Sequence, residues 1–300
     1  MADKTKTSSE AKKQARERSI LFDLPRLLLK SPSGMLGFII VLVVVLISVF
    51  ANVIIPCTPE EIDLANMAQP PCWLEGGSAE HILGTDILGR DVFSRILIGS
   101  RVSLLVGIFS VVVAGIIGTI MGILSGYFGG WIDSVVMRIT DAFYSIPLTL
   151  FAMVILTIMD PGVLTLVFVI GVTNWPFYAR MVRSEVLGLK NKEYIKAART
   201  IGTSGKMIML RHILPTFIVV STLSVASSIL IEASLSFLGL GIQPPAVSWG
   251  VMLSDGRNYL ATNWWMATFP GIAISLTVLG IMLLGNWLRD VLDPKNQGLR

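Results

Sequence analysis

The stretch 193-EYIKAARTIGTSGKMIMLRHILP-215 lies between two apolar runs that are each long enough to cross a bilayer. Because its polar and basic side chains are costly in hydrocarbon, we expect this stretch outside the membrane, held against the surface by its flanks. Gly202 allows the chain to turn where a side chain would clash, and Pro215 can begin the next helix because a first turn does not use its missing N–H. The pattern predicts a short helix presented at a membrane face, which is typical of a docking element.

The composition is that of a membrane protein with several spans. The chain has 300 residues, of which 53% are apolar and only 15% charged, and its mean hydropathy is +0.72. A soluble domain has about 25% charged residues. Of the 24 Lys and Arg residues behind the net charge of +4, eight lie in residues 1–34 and eight in residues 179–213, next to predicted spans. This positive-inside pattern places both segments in the cytoplasm and argues against nucleic acid as a partner.

Six apolar runs predict an all-α polytopic protein of the cell membrane, with six transmembrane helices surrounded by lipid and both termini in the cytoplasm. The predicted spans are residues 35–55, 102–127, 134–159, 163–178, 216–235 and 266–287. The first run is too long for a signal-peptide core, and no small-residue cleavage site follows it. We therefore interpret it as an uncleaved anchor.

The other segments connect these spans into one transmembrane domain, residues 35–300. They are a cytoplasmic tail with an interfacial segment at residues 1–34, outer loops at residues 56–101 and 236–265, and a cytoplasmic loop at residues 179–215. The first outer loop contains both cysteines, Cys57 and Cys72. One expectation is a disulfide that closes this loop in an oxidising compartment, and the alternative is two unpaired thiols.

The first outer loop leads into the second span through LGTDILGRDVFSRILIGSRVSLL, residues 83–105. Three glycines there, Gly84, Gly89 and Gly99, alternate with charged residues, which predicts tight turns fixed by ion pairs. The charged residues are Asp86, Arg90, Asp91, Arg95 and Arg101.

Three parts of the chain resemble one family. Ala197-Ala198, Gly202 and the run Arg211-His212-Ile213-Leu214-Pro215 resemble the cytoplasmic coupling loop of ABC importer permeases, which fits into a groove of the ATPase subunit. The segment at residues 83–105 resembles the signature of the peptide and nickel subgroup, in the subunit type that partners a second, different permease. The segment SFLGLGIQPPAVSWGVML, residues 236–253, is similar to the same subgroup.

The resemblance implies a type I ABC importer permease fold and a set of partners. These are a second homologous permease, two ATPase subunits that use ATP and Mg, and an extracytoplasmic substrate-binding protein. It also implies di- or oligopeptides as the cargo, with nickel chelates, glutathione or another small solute as alternatives within the family. A secondary transporter is the alternative from another class, but the six spans show no internal repeat.

The resemblance also implies which residues carry function. Residues expected in ATPase coupling are Glu193, Tyr194, Lys196, Ala197, Ala198, Arg199, Gly202, Arg211, His212 and Pro215. The outer signature comprises Gly84, Thr85, Asp86, Gly89, Arg90 and Asp91. This chain has Lys196 where the family usually has an acid, and an ordinary cytoplasmic loop is the alternative reading of the coupling segment.

Polar and small residues inside the spans predict either close packing between helices or a translocation path. Small residues recur every fourth position in the second span, at Ser110, Ala114, Gly118, Gly122 and Gly126, and favour close helix packing, either within the subunit or against a moving neighbour. In the third span we expect Arg138 and Asp141 to pair and Pro147 to kink the helix. In the fourth span, Asn174, Trp175 and Pro176 predict a break in helix regularity near the inner end.

The fifth span has a polar stripe of Ser221, Ser224, Ser228 and Glu232 at helical spacing. An acid inside a span is a functional candidate, so the stripe is a candidate translocation path. The alternative is an architectural role, with serines bonded to their own helix.

Catalytic chemistry is not indicated by the sequence. It contains no Gly-x-x-x-x-Gly-Lys-Ser/Thr phosphate loop, so we expect ATP hydrolysis on other subunits. His81 and His212 are predicted on opposite sides of the membrane, and the cysteines have no CxxC spacing, which leaves no zinc ligand set. We therefore expect neither an enzyme active site nor a cofactor bound by this chain.

Overall fold

The computed structural model describes residues 24–190 and 205–292, which form helices joined by turns and loops. Among the described residues, a helical segment at residues 24–29 precedes eight α-helices. These are α1 (Pro32–Ile54), α2 (Val92–Phe128), α3 (Gly130–Ser145), α4 (Leu148–Ile158), α5 (Val163–Lys190), α6 (Gly205–Phe237), α7 (Trp249–Gly256) and α8 (Trp265–Leu292). Two short 3-10 turns, Leu64–Asn66 and Arg257–Tyr259, lie in the outer loops.

Five of these helices, α1, α2, α5, α6 and α8, are long and apolar enough to cross a membrane. The bent pair α3 and α4 makes a sixth span if it is counted as one. The all-α polytopic fold is confirmed, but the predicted third span is two helices whose axes differ by 87°. Pro147 breaks this span instead of kinking it, because Ile146 before it is extended, at φ −107° and ψ 128°.

Helices α2 and α5 also differ from the prediction. Helix α2 begins at Val92, within the predicted outer loop, because the Asp91 carboxylate caps it by accepting from the Ser94 N–H at 2.7 Å. Helix α5 runs through Pro176 to Lys190 without the predicted break. The Asn174 amide donates to the Ile170 carbonyl at 2.9 Å, so this polar group is satisfied inside the helix.

The small-residue stripe of α2 packs against α5. A Cβ added at Gly118 would lie 2.4 Å from the Cβ of Tyr178, and one at Gly126 would lie 2.8 Å from the Cβ of Val186. Ser110 and Ala114 of the same stripe are buried. The stripe is therefore an interface within the subunit, which is one of the two predicted alternatives.

Helix α1 is attached at both ends. Near its start, Gly34 allows close contact with Trp287 of α8, since an added Cβ would lie 2.5 Å from the indole. At its end, Arg101 of α2 donates from Nε to the Ser48 carbonyl at 2.5 Å and from Nη2 to the Val49 carbonyl at 2.8 Å. Arg101 thus holds the last two turns of α1 through backbone carbonyls, and it makes no ion pair with the described residues, in contrast to the prediction.

Candidate translocation and coupling sites

The outer signature forms a tight turn before α2. Thr85 and Asp91 face each other in an isolated antiparallel bridge, and Gly84 and Gly89 adopt left-handed conformations with φ of +81° and +75°. A Cβ at Gly89 would lie 1.8 Å from the Asp63 carbonyl oxygen. The predicted turns are confirmed at these two glycines. Gly99 lies inside α2 instead, where its small size admits the Trp249 backbone and ring.

Four charged groups hold this turn against α2 and α7. The Asp86 carboxylate accepts from the Arg90 Nε at 2.7 Å and from Arg95. Both arginines also donate to the Asp255 Oδ2, at 3.1 Å from Arg90 and 3.2 Å from Arg95. Arg95 is only 2% exposed, so removing one partner leaves a charge with little water to solvate it. The network joins the first outer loop, α2 and α7.

The other signature residues turn their polar groups inwards. The Thr85 hydroxyl donates to the Asn66 carbonyl at 2.5 Å and accepts from the Gln69 N–H at 2.8 Å. The Thr85 carbonyl accepts from the Trp265 indole N–H at 3.0 Å, which ties the turn to α8. Asp91, besides capping α2, lies 3.1 Å from the His81 Nδ1. The signature therefore fixes the outer loop to three helices.

The cysteines do not form the predicted disulfide. Both are free thiols, with Cys57 half-buried and Cys72 exposed. Burial raises the pKa of the Cys57 thiol, and the nearby Asp91, Glu80 and Glu61 carboxylates raise it further. Cys57 is therefore a protonated thiol at neutral pH, which makes it a poor nucleophile.

Glu232 lies in the last two turns of α6 and is completely buried. Its Oε1 accepts from the hydroxyls of Ser236 at 2.8 Å and Ser248 at 2.7 Å, and its Oε2 accepts from Ser103 at 3.3 Å. Ser248 also caps α7 by accepting from the Val251 N–H at 3.3 Å. The carboxylate thus joins α6, α2 and α7, and its burial favours the architectural alternative over a place on an open path.

The serines of the predicted path have different surroundings. Ser228 is buried, whereas Ser221 and Ser224 are half-buried on the side of α6 that faces Tyr178 of α5. Ser227, which the stripe did not include, is exposed. A path along Ser221, Ser224 and Ser228 stays a prediction.

Two ion pairs join α3 to the C-terminal half of α5. Arg183 donates from Nε and Nη2 to the two carboxylate oxygens of Asp133, at 2.5 and 2.7 Å. Arg180 donates to Asp141 at 2.5 Å and lies 4.2 Å above the Tyr144 ring. Asp141 therefore pairs across helices and not with Arg138 as predicted. Arg180 and Arg183 lie within the predicted cytoplasmic loop, 13 and 10 residues before Glu193, the first of the predicted coupling residues.

The predicted coupling residues are mostly outside the described residues. These are Glu193, Tyr194, Lys196, Ala197, Ala198, Arg199 and Gly202, together with the side chains of Arg211 and His212. Pro215 is described and lies inside α6, so it does not begin that helix as predicted. Membrane helices tolerate an internal proline where neighbouring helices compensate for the lost hydrogen bond.

Sequence reasoning missed several residues of these networks. Asp255 is the only acid between residues 236 and 265, and that scarcity was the one available signal. 

Arg180 and Arg183 contribute to the positive-inside pattern, and their spacing of three also places both on one face of α5. Nothing in the sequence points from Glu232 to Ser103 or Ser248, because these contacts depend on tertiary packing.

Two families match this chain. Residues 118–298 match the family described as binding-protein-dependent transport system inner membrane component, which is more than half of the chain. The chain belongs to this family. Residues 23–71 of the permease also match the N-terminal TM domain of oligopeptide transport permease C. Together with its apolar helices, this makes the permease a multi-pass protein of the inner membrane.

The permease has relatives that cover most of its length. It is 41% identical over 263 residues to the di/tripeptide transport system permease protein DppC of Pseudomonas aeruginosa, which covers 86% of the permease and 87% of the relative. It is 39% identical over 272 residues to the probable D,D-dipeptide transport system permease protein DdpC of Escherichia coli, with 89% of each chain covered. It is 47% identical over 225 residues to the glutathione transport system permease protein GsiD of Pectobacterium atrosepticum, over 74% and 75% of the two chains. The resemblance drawn from the signature segments is confirmed.

Proposed function

We propose that this permease forms, with a second and different permease, the path by which an ATP-driven importer carries di- and oligopeptides. The observation that carries the proposal is the family match over residues 118–298, which includes the whole predicted coupling loop. Relatives whose names specify di/tripeptides and D,D-dipeptides support peptides as the cargo. A relative named for glutathione keeps that molecule as the alternative substrate.

The energy for import comes from two partner ATPases that hydrolyse ATP with Mg. The permease sequence has no phosphate-binding loop of its own, so it contributes a gate and the partners contribute the motor. An extracytoplasmic binding protein delivers the peptide to the outer face. This division of roles agrees with the family description, which names a binding-protein-dependent system.

The helices on either side of the coupling loop suggest how the motor moves the gate. Helix α6 has 33 residues and is about 50 Å long, so it reaches from the coupling loop to the outer face. Near its outer end, Glu232 bonds to Ser103 of α2 and to the Ser248 cap of α7. A displacement of the loop is therefore carried along α6 to the outer segments. On the other side of the loop, the Arg183–Asp133 pair couples α5 to the bent span.

Uptake by the reconstituted complex tests this function. Proteoliposomes would contain the permease, its partner permease and both ATPases, with the binding protein and a radiolabelled dipeptide outside. We expect uptake to require ATP inside and to continue in the presence of a protonophore. Uptake that stops with the protonophore but survives ATP depletion would identify a secondary transporter instead.

A single substitution tests the coupling loop in the same vesicles. Gly202→Pro is expected to abolish ATP-driven uptake while leaving membrane insertion intact, because the ring restricts the backbone where the chain must turn. Gly162→Pro, in the turn before α5, is the matched control and should retain uptake. Normal uptake by Gly202→Pro would contradict the docking role.

A further inference from the structure

A cleft of about 630 Å³ opens on the side of the predicted outer loops. Its lining includes the start of the first outer loop, with Glu60 and Ile62, and residues 239–247 between α6 and α7. Arg90, Arg95 and Asp255 of the ion network also line it. The volume is within the range of about 300–1,000 Å³ that small-ligand sites have.

The wall formed by residues 239–247 lies tightly against the end of α6. A Cβ added at Gly241 would lie 2.0 Å from the Ser236 Oγ, so only glycine fits there. Ser236 also lines the cleft and donates to the Glu232 carboxylate at 2.8 Å. The cleft is thus attached to the outer end of the helix that we expect the coupling loop to move.

The cleft presents charges of both signs. Glu60 contributes an exposed carboxylate to the lining, and Arg90 contributes a guanidinium on a side chain that is 15% exposed. Behind it, Arg95 is 2% exposed and its Nε has no hydrogen-bond partner among the described residues. A buried donor without a partner is costly, so a ligand or water that accepts from it is favoured. Apolar residues such as Ile62, Ile242 and Val247 complete the lining.

We propose that this cleft receives a short zwitterionic peptide before it enters the path. The peptide carboxylate lies towards the Arg90 side, the ammonium group lies towards Glu60, and the side chains contact the apolar wall. Charge-assisted hydrogen bonds favour this orientation, because each terminus meets a group of opposite charge. The inference rests on the proposed peptide-import function and adds a binding site on this subunit to it.

Photo-crosslinking in the complete transporter tests the site. A dipeptide with a diazirine side chain would be delivered by the binding protein to proteoliposomes without ATP, and the adducts would be located by mass spectrometry. We expect adducts in residues 59–62 or 239–247. Excess unlabelled dipeptide should prevent them, whereas the same dipeptide with an acetylated amino terminus and an amidated carboxyl terminus should not. Adducts only elsewhere, or equal competition by the blocked peptide, would overturn the proposal.

Two variants with exposed changes sharpen the test without disturbing the buried network. Glu60→Gln should lower adduct yield about tenfold, as expected for the loss of one charge-assisted hydrogen bond. Gln243→Trp should also lower the yield, because it places a large side chain in the cleft. Glu75→Gln, an exposed acid of the same loop that does not line the cleft, should leave the yield unchanged.

Uptake in the same vesicles separates the two levels of the hypothesis. If both cleft variants give wild-type adduct yields, the cleft is not the receiving site. If the wild-type complex imports dipeptide with ATP but gives no adduct in the cleft, the receiving site is overturned while the proposed function stands. If it imports no peptide under any condition, the proposed function fails and the receiving site fails with it.

Discussion

Gly89 combines a backbone conformation and a close contact that exclude a side chain. Its φ is +75°, and an added Cβ would lie 1.8 Å from the Asp63 carbonyl oxygen. Gly89→Ala should therefore lower the stability of the permease by at least about 1–3 kcal/mol, the usual cost of a strained backbone. Thermal unfolding of the purified complex in detergent measures this. The matched control is Gly162→Ala, where no other atom lies within 4 Å of the added Cβ, and equal stability of both variants would contradict the account.

Glu232 distinguishes an architectural carboxylate from one that lines a path. Glu232→Ala leaves the buried hydroxyls of Ser236 and Ser248 without their acceptor, which should cost about 1–3 kcal/mol of stability. Glu232→Gln keeps an acceptor oxygen, so a smaller loss is expected. The midpoint of thermal unfolding measures both changes, with the exposed Ser227→Ala on the same helix as the control.

A path role for Glu232 would give the opposite pattern. Glu232→Ala would then unfold at the wild-type temperature while losing uptake. That result would show that the carboxylate acts on the substrate and not on the packing of α6, α2 and α7.

At the scale of helices, the two ion pairs that join α3 to α5 are expected to differ in strength. The Arg183–Asp133 pair is bidentate and partly buried, and it joins α5 to α3. Asp133→Arg or Arg183→Asp alone should destabilise the complex and reduce uptake, since each places like charges together. The double swap should recover part of the lost stability and part of the lost uptake. Recovery should be incomplete because Asp133→Arg also removes the acceptor of the Ser125 hydroxyl.

The more exposed Arg180–Asp141 pair is the matched control for this swap. Asp141→Ala should change stability by only about 0–1 kcal/mol, as for surface ion pairs generally. A double-mutant cycle on unfolding midpoints measures both couplings. A swap of Asp133 and Arg183 that recovers nothing, or coupling energies that are equal for the two pairs, would contradict this assignment.

The helices also show which sequence signals are sufficient to locate a helix and its ends. Apolar runs of spanning length identified every long helix, because hydrocarbon requires a continuous apolar surface. The bend at Pro147 was underestimated, since a proline kinks or breaks a helix according to contacts made elsewhere. The start of α2 was missed because hydropathy does not register a polar first turn, although Asp91 followed by Ser94 is a possible cap.

For the molecule as a whole, the sequence predicted the fold class and the local turns better than the long-range networks. The turns at Gly84 and Gly89 were predictable because their charged neighbours lie within a few residues. The Asp255 contacts to Arg90 and Arg95 span about 160 positions, and no local pattern encodes such a distance. The same limit explains why the buried partners of Glu232 were not found and why a disulfide was expected between two cysteines that are free.

The central claim is that the permease is a gate moved by separate ATPases through a cytoplasmic loop between α5 and α6. Ala198→Cys, with Cys57 and Cys72 replaced by serine, would report on that loop through a membrane-impermeant maleimide. We predict labelling in inside-out vesicles, protection when the ATPases are bound, and no labelling in right-side-out vesicles. Labelling of Ala198→Cys from the outer side would place the loop away from any ATPase and contradict the account.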